Sequence, residues 1–237
     1  VNNLSKSPAR IAGMFDAIAA RYDLLNHLLS AGVDRRWRRR AVGSLSLTGR
    51  ERVLDLCAGT ADLGIAALKS RPSARRVIGI DFAQAMLRVG REKIRRQRLD
   101  DRIALLRGDA TRIPLCDGAV DAVTIGFGIR NVEDPGAACE EMRRVLVPGG
   151  RLAILEFAMP ATPGVRQLYL WYFNRLLPLV GRTISGHGAA YGYLPASVGA
   201  FASPDEFVTI LRHHGFVDVS VARLTLGIAC LYTGRRG

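Results

Sequence analysis

Several things are scarce in this chain of 237 residues. Its only cysteines are Cys57, Cys116, Cys139 and Cys230, scattered and without a C-x-x-C pair. That spacing argues against a metal site or a disulfide framework and suits a reducing compartment. No apolar run reaches the roughly 18 residues that a spanning helix needs. The first residues, Val1 to Lys6, lack the apolar stretch of a secretory signal. A cytoplasmic location follows as an expectation, with peripheral contact at the inner face of the cytoplasmic membrane. Internal repeats and low-complexity segments are missing, and so is the G-x-G-x-x-G turn of dinucleotide-binding folds. Acidic residues are also few, 21 Asp and Glu against 34 Lys and Arg, for a net charge of +13. Such a balance favours an anionic partner, an acidic membrane surface or a nucleic acid, without choosing between them. A solvated arginine-rich surface is the competing explanation.

What is present is an alternating rhythm. Residues 8–42 read as helical, with Ile11, Phe15, Ile18, Tyr22 and Leu25 on one face. A basic cluster, Arg35 to Arg40 around Trp37, follows, and residues 43–49 look like a connection. Short apolar runs then alternate with helix-like stretches: 52–56, 77–81, 103–106, 120–125 and 152–156 as strands, with helices near 62–70, 84–98 and 135–145. This order predicts βαβ units and a parallel sheet covered on both faces. Residues 158–203 break the rhythm and read as an insertion, with a mostly apolar helix over 165–180 and a Gly-rich turn at 186–188. A helix over 204–214 and a strand pair, 217–221 and 227–233, close the chain. The expected organisation is a helical lid at 1–49 and one α/β domain at 50–237, with 158–203 shaping the substrate or membrane side.

Ligands of open α/β sheets gather at the carboxyl ends of the strands. Three such ends here carry suitable groups in order. Asp55 precedes the small-residue turn Cys57-Ala58-Gly59-Thr60-Ala61, where Gly59 lets backbone approach a ligand and the next helix N-terminus faces a carboxylate. Asp81 ends the second run, where a carboxylate can accept from both ribose hydroxyls; capping the next helix is the alternative. Asp109 and Ala110 follow the third, suited to an adenine amino group and a ring nitrogen; an Asx-turn is the alternative. Adenosine binding explains the three together. Asp55 also suits a structural role, accepting from loop amides. Asp62 reads as a first-turn residue favoured by the helix dipole.

Longer motifs carry a resemblance. Tyr22-Asp23-Leu24-Leu25-Asn26-His27-Leu28-Leu29-Ser30-Ala31-Gly32-Val33-Asp34-Arg35-Arg36-Trp37 resembles the N-terminal signature of the ubiquinone/menaquinone C-methyltransferase family. Arg144 to Phe157, with Pro148-Gly149-Gly150 at its centre, resembles the second signature. Gly126 to Val132, Tyr191 to Ser197 and Leu224 to Ala229 match further segments, so the likeness spans nearly the whole chain. It implies a class I methyltransferase fold, a Rossmann-like sheet of seven mostly parallel strands with helices on both faces. It also implies S-adenosylmethionine as cofactor, S-adenosylhomocysteine as product, and no metal. Its cofactor positions fall on Thr60, Asp81, Asp109, Ala110 and Gly126, the last in place of a frequent Ser. The chain also has Asp34 where the family often has His.

The implied reaction is methylation of a ring carbon on a prenylated quinol, demethylmenaquinol to menaquinol being favoured. A reduced ring becomes nucleophilic when a hydroxyl loses its proton. The resemblance points to Arg130 and Asn131 for substrate and proton handling; pairing of Arg130 with Glu133 or Asp134 is the alternative. His187 is the other candidate base. Tyr22 and Asn26 are candidates for a lid over cofactor and substrate. The partners expected are the lipophilic quinol, an anionic membrane surface and a second copy of the chain, with no nucleic acid. A soluble phenol or polyketide is the rival substrate. A nucleic-acid methyltransferase is a weaker rival, since no Asn-Pro-Pro-aromatic or Pro-Cys motif occurs. A silent cofactor-binding scaffold is a third.

Overall fold

The structure is a computed structural model that describes residues 6–30, 32–70, 72–172, 175 and 188–237. Seven strands form one sheet in the order β3-β2-β1-β4-β5-β7-β6. They are β1 (Arg52–Leu56), β2 (Arg76–Asp81), β3 (Ile103–Arg107), β4 (Val120–Gly126), β5 (Leu146–Phe157), β6 (Phe216–Leu224) and β7 (Ala229–Arg236). The first five run parallel, and β7 lies antiparallel between β5 and β6. The expected architecture is therefore present, with the strand order reversing at β1.

Two apolar cores sit against the sheet. Alternate residues of a strand point to opposite faces, and β1 shows it: Leu54 and Leu56 enter one core, Val53 the other. The first core is capped by α5 (Pro135–Val145) and α8 (Pro204–His213), the second by α2 (Val33–Ser44), α3 (Asp62–Lys69) and α4 (Gln84–Arg96). Local chemistry fixes the helix starts. Asp134 accepts from the Ala137 amide ahead of Pro135, and Ser203 with Glu206 forms a reciprocal capping box.

The N-terminal stretch is two helices rather than one: α1 (Pro8–Leu29) and α2. Gly32 separates them at φ +77°, a backbone state that disfavours any side chain. The connection begins after Ser44, two residues later than expected. In the insertion, α6 (Pro163–Trp171) is the described part of the helix expected over 165–180. Of the turn expected at 186–188, residues 186 and 187 lie outside the described residues; Gly188 begins α7 (Gly188–Ala200), a helix that the sequence does not announce. His187 lies outside the described residues. No described helix is long and apolar enough to cross a membrane.

Candidate functional site

The turn after β1 is tightly wound. Cys57, Gly59 and Ala61 all have positive φ, of 55°, 54° and 66°. Two of these are not glycine, so the turn stores strain that its neighbours must hold. The Ala58 amide donates to the Ile80 carbonyl at 3.0 Å, and the Gly59 amide donates to Asp81 Oδ2 at 2.8 Å. A Cβ on Gly59 would stand 3.2 Å from Met86 Cε, so the bare backbone fits a close approach. Asp81 Oδ1 accepts from the Ala83 amide at 2.8 Å. Its carboxyl is raised by burial, against the pull of the Ala83 and Gly59 amides. Asp81 thus stands at the end of β2 and braces the start of the next helix, the alternative read for it.

Asp55 is different. It is buried beneath the turn, with Oδ2 accepting from the Gly64 amide at 2.8 Å and Oδ1 from Thr124 Oγ1 at 3.2 Å. Burial carries its carboxyl up to about 7. At 1% exposure, with both oxygens bonded inside the protein, Asp55 takes the structural role that was the other reading of it. Asp109 adopts the Asx-turn: Oδ1 accepts from the Thr111 amide and hydroxyl at 2.8 and 2.9 Å. Ala110 is buried beside it. At Gly126, a Cβ would lie 2.7 Å from Leu63 Cδ1, so α3 occupies the room that a serine there would need.

Helix α1 lies over these strand ends. Thr60 Oγ1 donates to Asp23 Oδ1 at 2.5 Å, and Asp16 Oδ1 accepts from the Ala85 amide at 2.7 Å. Ala19, Phe15 and Tyr22 pack against Ala83, Ala85 and Met86. Lys93 pairs with Asp23 and, at 2.7 Å, with Asp62, which stands 3.2 Å from Arg38 Nη1. The same Arg38 nitrogen pairs with Asp34. Asp34 also accepts from Ser30 at 2.8 Å and stands 3.3 Å from His27 Nδ1. This chain of ion pairs ties both N-terminal helices to α3 and α4. None of its members except Thr60 was expected as a site residue.

A cavity of about 450 Å³ opens beside the strand ends. Tyr22 and Asn26 line it, as do Arg38, Arg130 and an aromatic trio. In the trio, Phe127 and Phe157 stack at 4.3 Å, with Trp37 6.1 and 6.3 Å away. Trp37 is oriented by its Nε1, which donates to Thr225 Oγ1 at 2.9 Å. Burial raises the Tyr22 phenol, opposed by its bond to Asn26. At the mouth, Leu168, Trp171 and Leu226 both line the cavity and stand 65%, 57% and 74% exposed.

Arg130 does not pair with Glu133 or Asp134. Its Nη1 donates to Glu156 Oε1 at 2.6 Å and to the Phe127 carbonyl, and its backbone amide donates to Glu156 Oε2 at 3.2 Å. Its Nε reaches Ser197 Oγ at 3.3 Å, and the guanidinium carbon lies 5.4 Å from the Phe157 ring centre. Asn131 points its Nδ2 at the same Phe127 carbonyl, 3.4 Å away, and its buried Oδ1 has no hydrogen bond among the described residues. Unlike Arg130, it does not line the cavity. Glu156 was missed, although an acidic residue ending an apolar strand is the signal already read at Asp55 and Asp81. Among the described residues, no cluster of His, Cys, Asp and Glu is arranged to hold a metal ion.

Solved structures with this fold include the [4+2]-cyclase SpnF, with TM-score 0.68, 17% identity and 97% of this chain and 96% of that one covered. Another is a SAM-dependent methyltransferase from Thermotoga maritima, with TM-score 0.66, 17% identity and 95% and 99% covered. Closer in sequence is the ubiquinone/menaquinone biosynthesis C-methyltransferase UbiE of Geobacter sp., 46% identical over 98% of this chain and 99% of that one. The demethylmenaquinone methyltransferase of Thermus thermophilus is 47% identical over 94% and 100%. The profile of one family matches residues 3–236, and on that match and these identities the chain belongs to the ubiE/COQ5 methyltransferase family.

Proposed function

We propose that this methyltransferase carries the methyl group of S-adenosylmethionine to a ring carbon of a prenylated hydroquinone, with demethylmenaquinol as the preferred acceptor. The observation that carries the reading is the cavity: aromatic walls, one buried guanidinium, and a rim of exposed apolar side chains. Flat rings pack well against such walls, and a long isoprenoid tail suits such a rim. The names of the Thermus and Geobacter relatives support the choice of acceptor.

The donor supplies a methyl group on a good leaving group, so the protein's task is alignment and electron density on the ring. Asp81 accepts from the ribose hydroxyls, its orientation fixed by the Gly59 and Ala83 amides. Arg130 cannot be the base, since guanidinium keeps its proton to a pH above about 12. Held by Glu156 and the Phe127 carbonyl, it offers fixed positive charge to a ring oxygen whose proton passes to a water that the guanidinium orients.

The exposed rim also supports contact with a bilayer. Leu168, Trp171 and Leu226 present apolar surface, with the exposed Arg166 and Arg175 on the same segment for anionic headgroups. Mass spectrometry of methyl transfer onto a panel of reduced quinols tests the function, with tail-free phenols and RNA as controls. Methylation of prenylated naphthoquinol above all others is expected; equal transfer to RNA or to tail-free phenols overturns the reading. Sedimentation with anionic vesicles tests the rim: replacing Leu168, Trp171 and Leu226 with Ser should abolish binding that the parent shows.

A further inference from the structure

We propose that Arg38 grips the α-carboxylate at the amino-acid end of the methyl donor. The inference rests on the reading that the donor is S-adenosylmethionine. Arg38 stands on α2 and lines the cavity. One guanidinium nitrogen, Nη1, serves both of its protein partners, Asp34 and Asp62. Among the described residues, Nε and Nη2 make no hydrogen bond, and neither is sealed away from solvent. Those two nitrogens form the fork that meets a carboxylate with two parallel bonds. The side chain is nevertheless 11% exposed, so the fork is held in place rather than waving in water.

Its surroundings fit an amino acid. Asp62, 3.2 Å from Nη1, is the first residue of α3, whose N-cap residue Ala61 makes no side-chain bond and whose third amide alone, at Gly64, is taken by Asp55. The fork therefore stands beside open peptide amides, directly after the strained Gly59–Ala61 turn. The charges also balance. The linked pairs contain the carboxylates of Asp23, Asp34 and Asp62 against the cations of Arg38 and Lys93, an excess of one negative charge. A sulfonium amino acid carries two positive groups and one carboxylate, so it brings the complementary charge. Asp34 and Asp62 hold Arg38 without using its fork, and both lie near enough to favour the donor's cationic groups.

Calorimetry with two ligands tests this. S-adenosylhomocysteine carries the amino-acid end; 5′-methylthioadenosine shares the nucleoside and the sulfur but lacks that end. Arg38→Gln should weaken S-adenosylhomocysteine about tenfold or more and leave methylthioadenosine within about twofold of the parent. Arg38→Lys keeps the pairing with Asp34 and Asp62 but loses the fork. It should show the same selective weakening at a smaller size, while melting at the parent temperature. Unchanged S-adenosylhomocysteine affinity in Arg38→Gln overturns the assignment, and so do equal losses for both ligands. A parent chain that binds neither ligand overturns the donor reading together with this one.

Discussion

Truncation of Glu156 to Ala is the most informative perturbation of the site. Glu156 is fully buried and Arg130 is 4% exposed, so the substitution strands a guanidinium away from water. Removing one partner of such a pair costs about 3–5 kcal/mol. The same carboxylate also takes the backbone amides of Arg130 and Phe157, at 3.2 and 2.8 Å. Orphaning a buried amide costs about 1–3 kcal/mol, but these losses share one acceptor and overlap with the pair rather than add to it. A net loss of about 4 kcal/mol is expected, which at a urea m-value near 3 kcal/mol/M lowers the midpoint by about 1.3 M. Glu156→Gln keeps a carbonyl for the amides and should lose about half as much. Replacing both partners with apolar residues, Arg130→Met with Glu156→Leu, should recover about half of that loss, because no charge is left buried although the Arg130 and Phe157 amides still lack their acceptor. That double variant should not turn over quinol at any concentration. A Glu156→Ala midpoint within about 0.3 M of the parent would refute the reasoning, since the guanidinium would have found water. Full activity in the stable double variant would remove Arg130 from the chemistry.

Three further outcomes are expected. Asp55 has a folded-state pKa of about 7 against about 3.9 unfolded, so the folded chain binds its proton more tightly. Its contribution is therefore fully present below about pH 4 and is lost as pH rises toward 7, by about 4 kcal/mol. Urea titrations across that range should show this slope in the parent and a flatter one in Asp55→Asn; identical slopes reject the assignment. Gly126→Ser places a Cβ against Leu63 and should cost about 1–3 kcal/mol. Adding Leu63→Ala should make the double variant more stable than the sum of the singles predicts, and strict additivity would show that Leu63 is not the obstacle. Asp81→Asn should weaken S-adenosylhomocysteine by about tenfold in calorimetry; parent affinity would end its ribose role.

The sheet was legible because its information is local. Each strand is a short apolar run, and the alternation of Val53 with Leu54 and Leu56 already encodes two cores. Helix α7 was not legible. Gly188, Gly192, Pro195 and Gly199 are poor helix formers, and its apolar residues fall on every side, so no 3.6-residue stripe marks it. Tertiary contact decides it instead: Ser197 is fully buried and meets Arg130. The Arg130–Glu156 pair joins β5 to the turn after β4, and adjacent acids at Glu133 and Asp134 offered a nearer but wrong partner. The tie from Asp23 to Lys93 crosses from the lid to α4, which no local pattern announces. Asp81 was legible as a strand-end carboxylate because that position is readable from the apolar run before it. At Asp55 the structural reading is the one seen, because the strand buries that side chain under the turn instead of beyond it.

A hydroxyl has one proton to give. In this structure Thr60 spends its proton on Asp23, a residue of the covering helix. Any bound molecule that accepts from Thr60 must first take that proton from Asp23, and the helix then keeps one tether fewer on this side of the cleft. For such a ligand, binding at Thr60 and that tether of the helix would compete for a single proton.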